Sequence, residues 1–154
     1  MSLARAEEAV ISTLHVRSQD LPWIETHSGS VRVLQARPDD NFIAIQGRVV
    51  AGRVSPPHRH IGPSSLYTLS GTWGHRPAPH DYGPGSYVME LAGVIHRYYG
   101  GPDEVEAISM CYGEYEYFNE ELTEIVKVIT VTDQLRRYME GCEAAGLPRP
   151  NVLG

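Results

Sequence analysis

His58 and His60 stand one residue apart, and His96 follows 36 positions later. Imidazole is the commonest protein ligand for transition metals, so the first question is whether the three can meet. In a strand, residues i and i+2 point to the same face; in a helix the same pair diverges. The His58-Arg59-His60 spacing therefore argues for a strand that presents two imidazoles to one point. Arg59, between them, should face the other way. His96 must arrive from another strand to close the set. Three neutral nitrogens would leave a divalent cation's charge uncompensated and favour a chelating anion such as an enolate or a hydroxyketone.

Those histidines need a scaffold of strands. From Leu21 to Gly113 short apolar runs recur between turn signals: Val31–Leu34, Asn41–Val50, Ser65–Trp73, Ser86–Leu91 and Val105–Tyr112. Arg37-Pro38-Asp39-Asp40, Ala51-Gly52, Gly83-Pro84-Gly85 and Gly100-Gly101-Pro102-Asp103 punctuate them. Pro56 and Pro57 end ladder pairing just ahead of His58. Tyr115–Phe118 and Leu122–Thr130 read as a hairpin around Asn119-Glu120-Glu121. Many short strands in one domain imply an all-β sandwich or small barrel. The tail reads differently. Leu135, Tyr138, Met139 and Cys142 recur at helical spacing, with Thr132 as N-cap, Gly146 at C′ and Pro148 beyond. This predicts a helix over about 132–145 whose apolar stripe packs on the sheet or a partner subunit.

Length and composition bound the rest. A chain of 154 residues is expected to be one domain over 1–154, with a core at about 21–130. Residues 1–20 are weakly patterned. A net charge of −6 disfavours nucleic acid as a partner. No apolar run is long enough for a membrane span, and acidic residues occupy the N-terminal stretch where a leader would need apolar ones, so a cytoplasmic location is expected. Cys111 and Cys142 read as reduced, buried small hydrophobes.

The motif framework resembles the cupin superfamily. Gly52, five residues, then His58-Arg59-His60, with Gly71 closing, follows its first motif; Ser64 stands where the motif has glutamate. Gly85, then Leu91-Ala92-Gly93, then His96 follows the second, with Leu91 for proline and Gly100 for asparagine. The wording of Pro56–Pro63, Leu69–Trp73 and Gly83–Val88 is similar to the small three-histidine branch that includes 2,4′-dihydroxyacetophenone dioxygenase and acetylacetone-cleaving dioxygenase. The resemblance implies a double-stranded β-helix, a jelly-roll barrel carrying the C-terminal helix. It also implies Fe(II), with Zn(II) or Ni(II) as alternatives, held by His58, His60 and His96. The implied chemistry is carbon–carbon cleavage of a small diketone or hydroxyketone by O₂, in a homodimer or homotetramer. Some members of the branch carry a carboxylate on the strand after Trp73; Gly74-His75-Arg76-Pro77-Ala78 has none. Two other functions stay open on the same scaffold: a non-catalytic zinc-binding sensor of the anti-sigma type, and a metal-dependent isomerase or lyase.

Ligating histidines hand their second nitrogen to an acceptor, and Glu90, Ser64 and backbone carbonyls are the candidates for that role. Tyr98, two beyond His96, should share its face and either orient substrate or fill the barrel. Trp73 is expected in the core or in the pocket wall. His75 and His80 flank the polar loop Arg76–Pro79 and read as exposed; His15 and His27 lie outside any motif.

Overall fold

The computed structural model describes residues 14–153; the first thirteen of the weakly patterned residues 1–20 lie outside it. The strands are β1 (Ile24–Thr26), β2 (Gly29–Arg37), β3 (Phe42–Val49), β4 (His58–His60), β5 (Ser64–Ser70), β6 (Trp73–Gly74), β7 (Tyr87–Glu90), β8 (Tyr99–Gly100), β9 (Val105–Tyr112), β10 (Tyr115–Phe118) and β11 (Ile125–Ile129). Among the described residues one α-helix, α1 (Val131–Ala144), follows β11. A six-stranded sheet runs β1-β2-β3-β9-β5-β7. It faces a three-stranded sheet, β11-β10-β4, and a β6-β8 pair. Antiparallel bridges His58↔His96, Val54↔Tyr99 and Trp73↔Tyr82 stitch the smaller pieces into a second layer. This is the expected all-β jelly roll with a C-terminal helix.

Period-two alternation sets what faces inward. On the large sheet, Glu90, Ser64 and Cys111 lie in one row across β7, β5 and β9, and Ile43 of β3 continues it. All four are buried. On the facing sheet, His60 pairs with Tyr115 and His58 with Tyr117. The register of each layer thus delivers its chemically active side chains to the same interior. Arg59, the odd residue of β4, meets Glu116 and Phe118 instead.

Two glycines allow the layers to close. A Cβ on Gly62 would fall 2.1 Å from the Tyr112 carbonyl oxygen, and one on Gly113 would meet the Gly62 nitrogen at 3.0 Å. The chain leaving β4 and the chain entering β10 cross here at backbone contact, which places the histidine strand beside the tyrosine strand.

The helix begins one turn signal earlier than expected. Thr130, not Thr132, is the N-cap: its hydroxyl accepts from Asp133 N–H, and the Asp133 carboxylate accepts from Thr130 N–H. That reciprocal pair satisfies two backbone donors that would otherwise lack partners. Gly146 sits just past the end with φ +68°, and Leu147 N–H returns to the Cys142 carbonyl. Val131, Tyr138, Met139 and Cys142 are buried against Val33, Ala36, Ile43 and Cys111, forming the main core. Burial of each large apolar side chain there contributes about 1.5–3 kcal/mol. Both cysteines are free and buried. No helix of the described residues is long and apolar enough to cross a membrane.

Candidate metal centre

His58, His60 and His96 reach one point. A ring nitrogen from each lies within 4.8 Å of the others. His58 and His60 come from β4, whose i, i+2 spacing aims both rings inward. His96 reaches them because its segment bridges to His58 in both directions, His58 N–H to His96 O at 3.0 Å and His96 N–H to His58 O at 2.9 Å. The His60 and His96 rings stack at 5.2 Å, and His58 stands edge-on to both.

Glu90 completes the cluster. Its Oε2 lies 2.8 Å from His60 Nε2 and 3.3 Å from His96 Nε2. Its Oε1 accepts from His75 Nε2 at 2.9 Å. Burial alone would push this carboxyl up, but the neighbouring His60, His75 and His96 hold it well below the usual carboxylate range. β7 thus sets one buried carboxylate beside the three histidines.

His75 corrects an expectation. It is not a bland loop residue: only 27% of its side chain is exposed, and it bonds Glu90. Its ring stands edge-on to Trp73 at 5.4 Å, with Tyr82 OH 3.3 Å from its Nδ1. The signal was present, because His75 is two residues beyond Trp73 and shares its face.

Ser64 is also corrected as a direct partner of the histidines. Its Oγ lies 3.0 Å from Cys111 Sγ, so it reaches His60 only through the thiol. Cys111, expected to be an inert hydrophobe, gathers Ser64, the Tyr115 hydroxyl at 3.0 Å and His60. Tyr98 stacks on Trp73 at 5.2 Å, and its backbone N–H bonds Ser55 Oγ. Trp73 is fully buried and donates Nε1–H to Thr68 Oγ1 at 2.9 Å.

The donor set fits a cation. His60 Nε2 and His96 Nε2 are buried yet make no aligned hydrogen bond among the described residues; such atoms are costly unless something takes their lone pairs. His58 Nδ1 is engaged by the Pro56 carbonyl at 3.0 Å, which fixes the tautomer and leaves Nε2 free, as in ligating histidines. Burial drives His58 down to about 4, so its ring is neutral near pH 7, the state a metal requires. His60 moves the other way. Burial opposes its charge, but Cys111 and Glu90 outweigh burial and raise it to about 9. Without a cation, a proton on His60 balances Glu90; with one, the cation takes that role.

Comparison with known proteins places this geometry in context. A family model described as the ChrR cupin-like domain matches residues 12–116. An RmlC-like cupin protein of Ralstonia eutropha JMP134 superposes with TM-score 0.84 at 22% identity, covering 99% of each chain. A protein of unknown function with a cupin-like fold from the same organism gives 0.82 at 18%, covering 94% of each. An acetylacetone dioxygenase from Acinetobacter johnsonii gives 0.68 at 15%, covering 86% of this chain and 94% of that one. No curated protein matches the sequence.

Proposed function

The chain belongs to the ChrR cupin-like domain family, and from that premise we propose that it is a metal-dependent dioxygenase cleaving a carbon–carbon bond of a small diketone or hydroxyketone. One observation carries the reading: three inward histidines share their site with a buried carboxylate that a fourth histidine, His75, holds in place. The fold shared with an acetylacetone dioxygenase supports it.

His58, His60 and His96 would hold the ion. Ferrous iron bound there would supply Lewis acidity toward a chelating carbonyl and the electrons that activate O₂. The protein's own part is proton handling and enclosure. Once His60 and His96 serve the ion they no longer hold this carboxylate ionised, and Glu90 Oε2 is then the base that accepts the proton from the carbon next to the substrate carbonyl. His75, on Oε1, fixes the direction in which that carboxylate faces. The stacked Trp73 and Tyr98 rings wall the cluster with apolar surface, which strengthens electrostatic contacts inside.

A second reading, a non-catalytic zinc sensor, draws on one feature. Glu90 Oε2 lies near enough to His60 and His96 to make a fourth donor, and structural zinc sites are four-coordinate. The test is metal analysis of the protein as purified, followed by oxygen-electrode traces of iron-loaded protein with a panel of diketones and hydroxyketones. Stoichiometric O₂ uptake, with both oxygen atoms in the cleavage products, is expected. Tight zinc with no turnover supports the sensor. Conversion without O₂ uptake refutes the dioxygenase in favour of an isomerase or lyase.

A further inference from the structure

Beside the histidine cluster lies a cavity of about 650 Å³, bounded by β1–β3, β10–β11 and α1. That volume is in the range of small-molecule sites. Val31, Val33, Ile45 and Ile129 give it an aliphatic wall, and Tyr115 and Tyr117 another. The same tyrosine rings contact the metal-site histidines: Tyr115 lies 4.5 Å from His60 and Tyr117 lies 5.4 Å from His58.

The polar residues of this lining run against the charge of the molecule. The chain carries −6 overall, yet Arg53, Lys127 and Arg137 line the cavity against a single carboxylate, Glu25. None of the three cations forms an ion pair among the described residues. The lining residues Tyr98 and Gln134 retain unused polar groups: the Tyr98 hydroxyl and Gln134 Nε2 are buried without a hydrogen-bond partner among the described residues.

An apolar chamber edged by unpaired cations fits an amphiphilic anion. We propose that this cavity binds an organic carboxylate with an apolar body, its anion held by Arg53, Arg137 and Lys127 and its body against the aliphatic and tyrosine walls. Guanidinium groups suit carboxylates because they offer paired donors in a plane. The site rests on these residues and not on the reading of the histidine cluster.

Isothermal titration calorimetry of the metal-loaded full chain with 6-phenylhexanoate tests it, with 6-phenylhexan-1-ol as the uncharged control. The carboxylate should bind at least about tenfold more tightly than the alcohol, since bonds to charged groups exceed neutral ones. Arg53→Gln and Arg137→Gln should each weaken the carboxylate about tenfold and leave the alcohol unchanged. Equal affinity for the two probes, no detectable binding, or an unchanged carboxylate affinity in both variants overturns the proposal. His96→Ala separates the two sites. Carboxylate affinity that persists in that variant supports the cavity. Affinity that vanishes with the metal assigns the anion to the cation and sinks the cavity site.

Discussion

Removing the metal should expose an alkaline instability that the loaded protein lacks. In the metal-free chain, His60 Nε2 and Glu90 Oε2 lie 2.8 Å apart and buried. Two unit charges at that distance attract by about 6 kcal/mol at an effective dielectric near 20. Burial opposes the charged imidazole, yet Cys111 and Glu90 prevail and bring His60 to about 9, from an ordinary value of about 6.5. That difference corresponds to about 3 kcal/mol of folding free energy. The folded state holds the proton more tightly than the unfolded one. The contribution is therefore complete below about pH 6.5 and is lost as pH rises through about 9.

His58 works on the other limb. Burial first, then the neighbouring His96 and His60, depress it to about 4 against the pull of the Pro56 carbonyl. The unfolded chain takes up this proton near pH 6.5 and the folded chain only near 4, so stability falls as pH drops across that window, again by about 3 kcal/mol. Glu90, held below its usual range, adds to the loss as pH falls below about 4.5. The metal-free protein should be most stable near pH 6.5. A bound cation replaces the His60 proton, flattening the alkaline limb and steepening the acid one, where protons compete for the ligands. Urea unfolding between about pH 5 and 9.5, with and without zinc, measures both limbs. A metal-free stability that stays level within about 0.5 kcal/mol from pH 6.5 to 9.5, or a Glu90→Gln variant that keeps the whole of the alkaline loss, would refute the ion-pair argument.

Three further outcomes follow from the geometry. His96→Ala should lose stoichiometric metal by elemental analysis while keeping its far-ultraviolet dichroism; full occupancy would remove His96 from the ligand set. His75→Ala should keep its metal and lose roughly 10–100-fold in turnover, because His75 fixes Glu90 from behind and its loss acts like that of an outer hydrogen-bond partner; unchanged turnover would show that Glu90 needs no such support. Thr130→Ala removes the hydroxyl that accepts from Asp133 N–H and should cost about 1 kcal/mol in urea unfolding; Thr132→Ala, outside the cap, should cost less than about half of that.

The parts of the site that follow strand alternation were legible in the sequence. His58 and His60 needed only the rule that i and i+2 share a face, and His96 needed only the motif framework. Glu90 was nameable as an acceptor but not as the centre of three imidazoles, because that depends on β7 lying two strands from β9 across β5. His75 lies just past the two-residue β6, in a bend ahead of Pro77 and Pro79, so its i, i+2 relation to Trp73 was outweighed by the loop signals around it. Cys111 was hidden by residue type: a buried thiol looks like a small hydrophobe until the register sets Ser64 beside it and folds His60 over it. The helix was legible from its stripe, whereas its cap depended on reciprocal bonding with Asp133, which Thr130 can make and Thr132 cannot.

The decisive residue is Glu90, because base and ligand make opposite demands on it. A base must be free to take a proton, so its removal should spare the metal. A ligand shares its lone pair with the ion, so its removal should release it. Glu90→Gln keeps the shape and deletes the charge. With three imidazoles still converging, the variant is expected to hold metal at full stoichiometry, more weakly by about 10–100-fold as for lost outer support. Its turnover should fall by about 10²–10⁴, the usual contribution of a positioned base. Loss of stoichiometric metal would instead show that Glu90 is the fourth donor of a closed site. If the bound ion is tetrahedral zinc, such a centre would have no room for an incoming carbonyl, and the catalytic reading would fall with it.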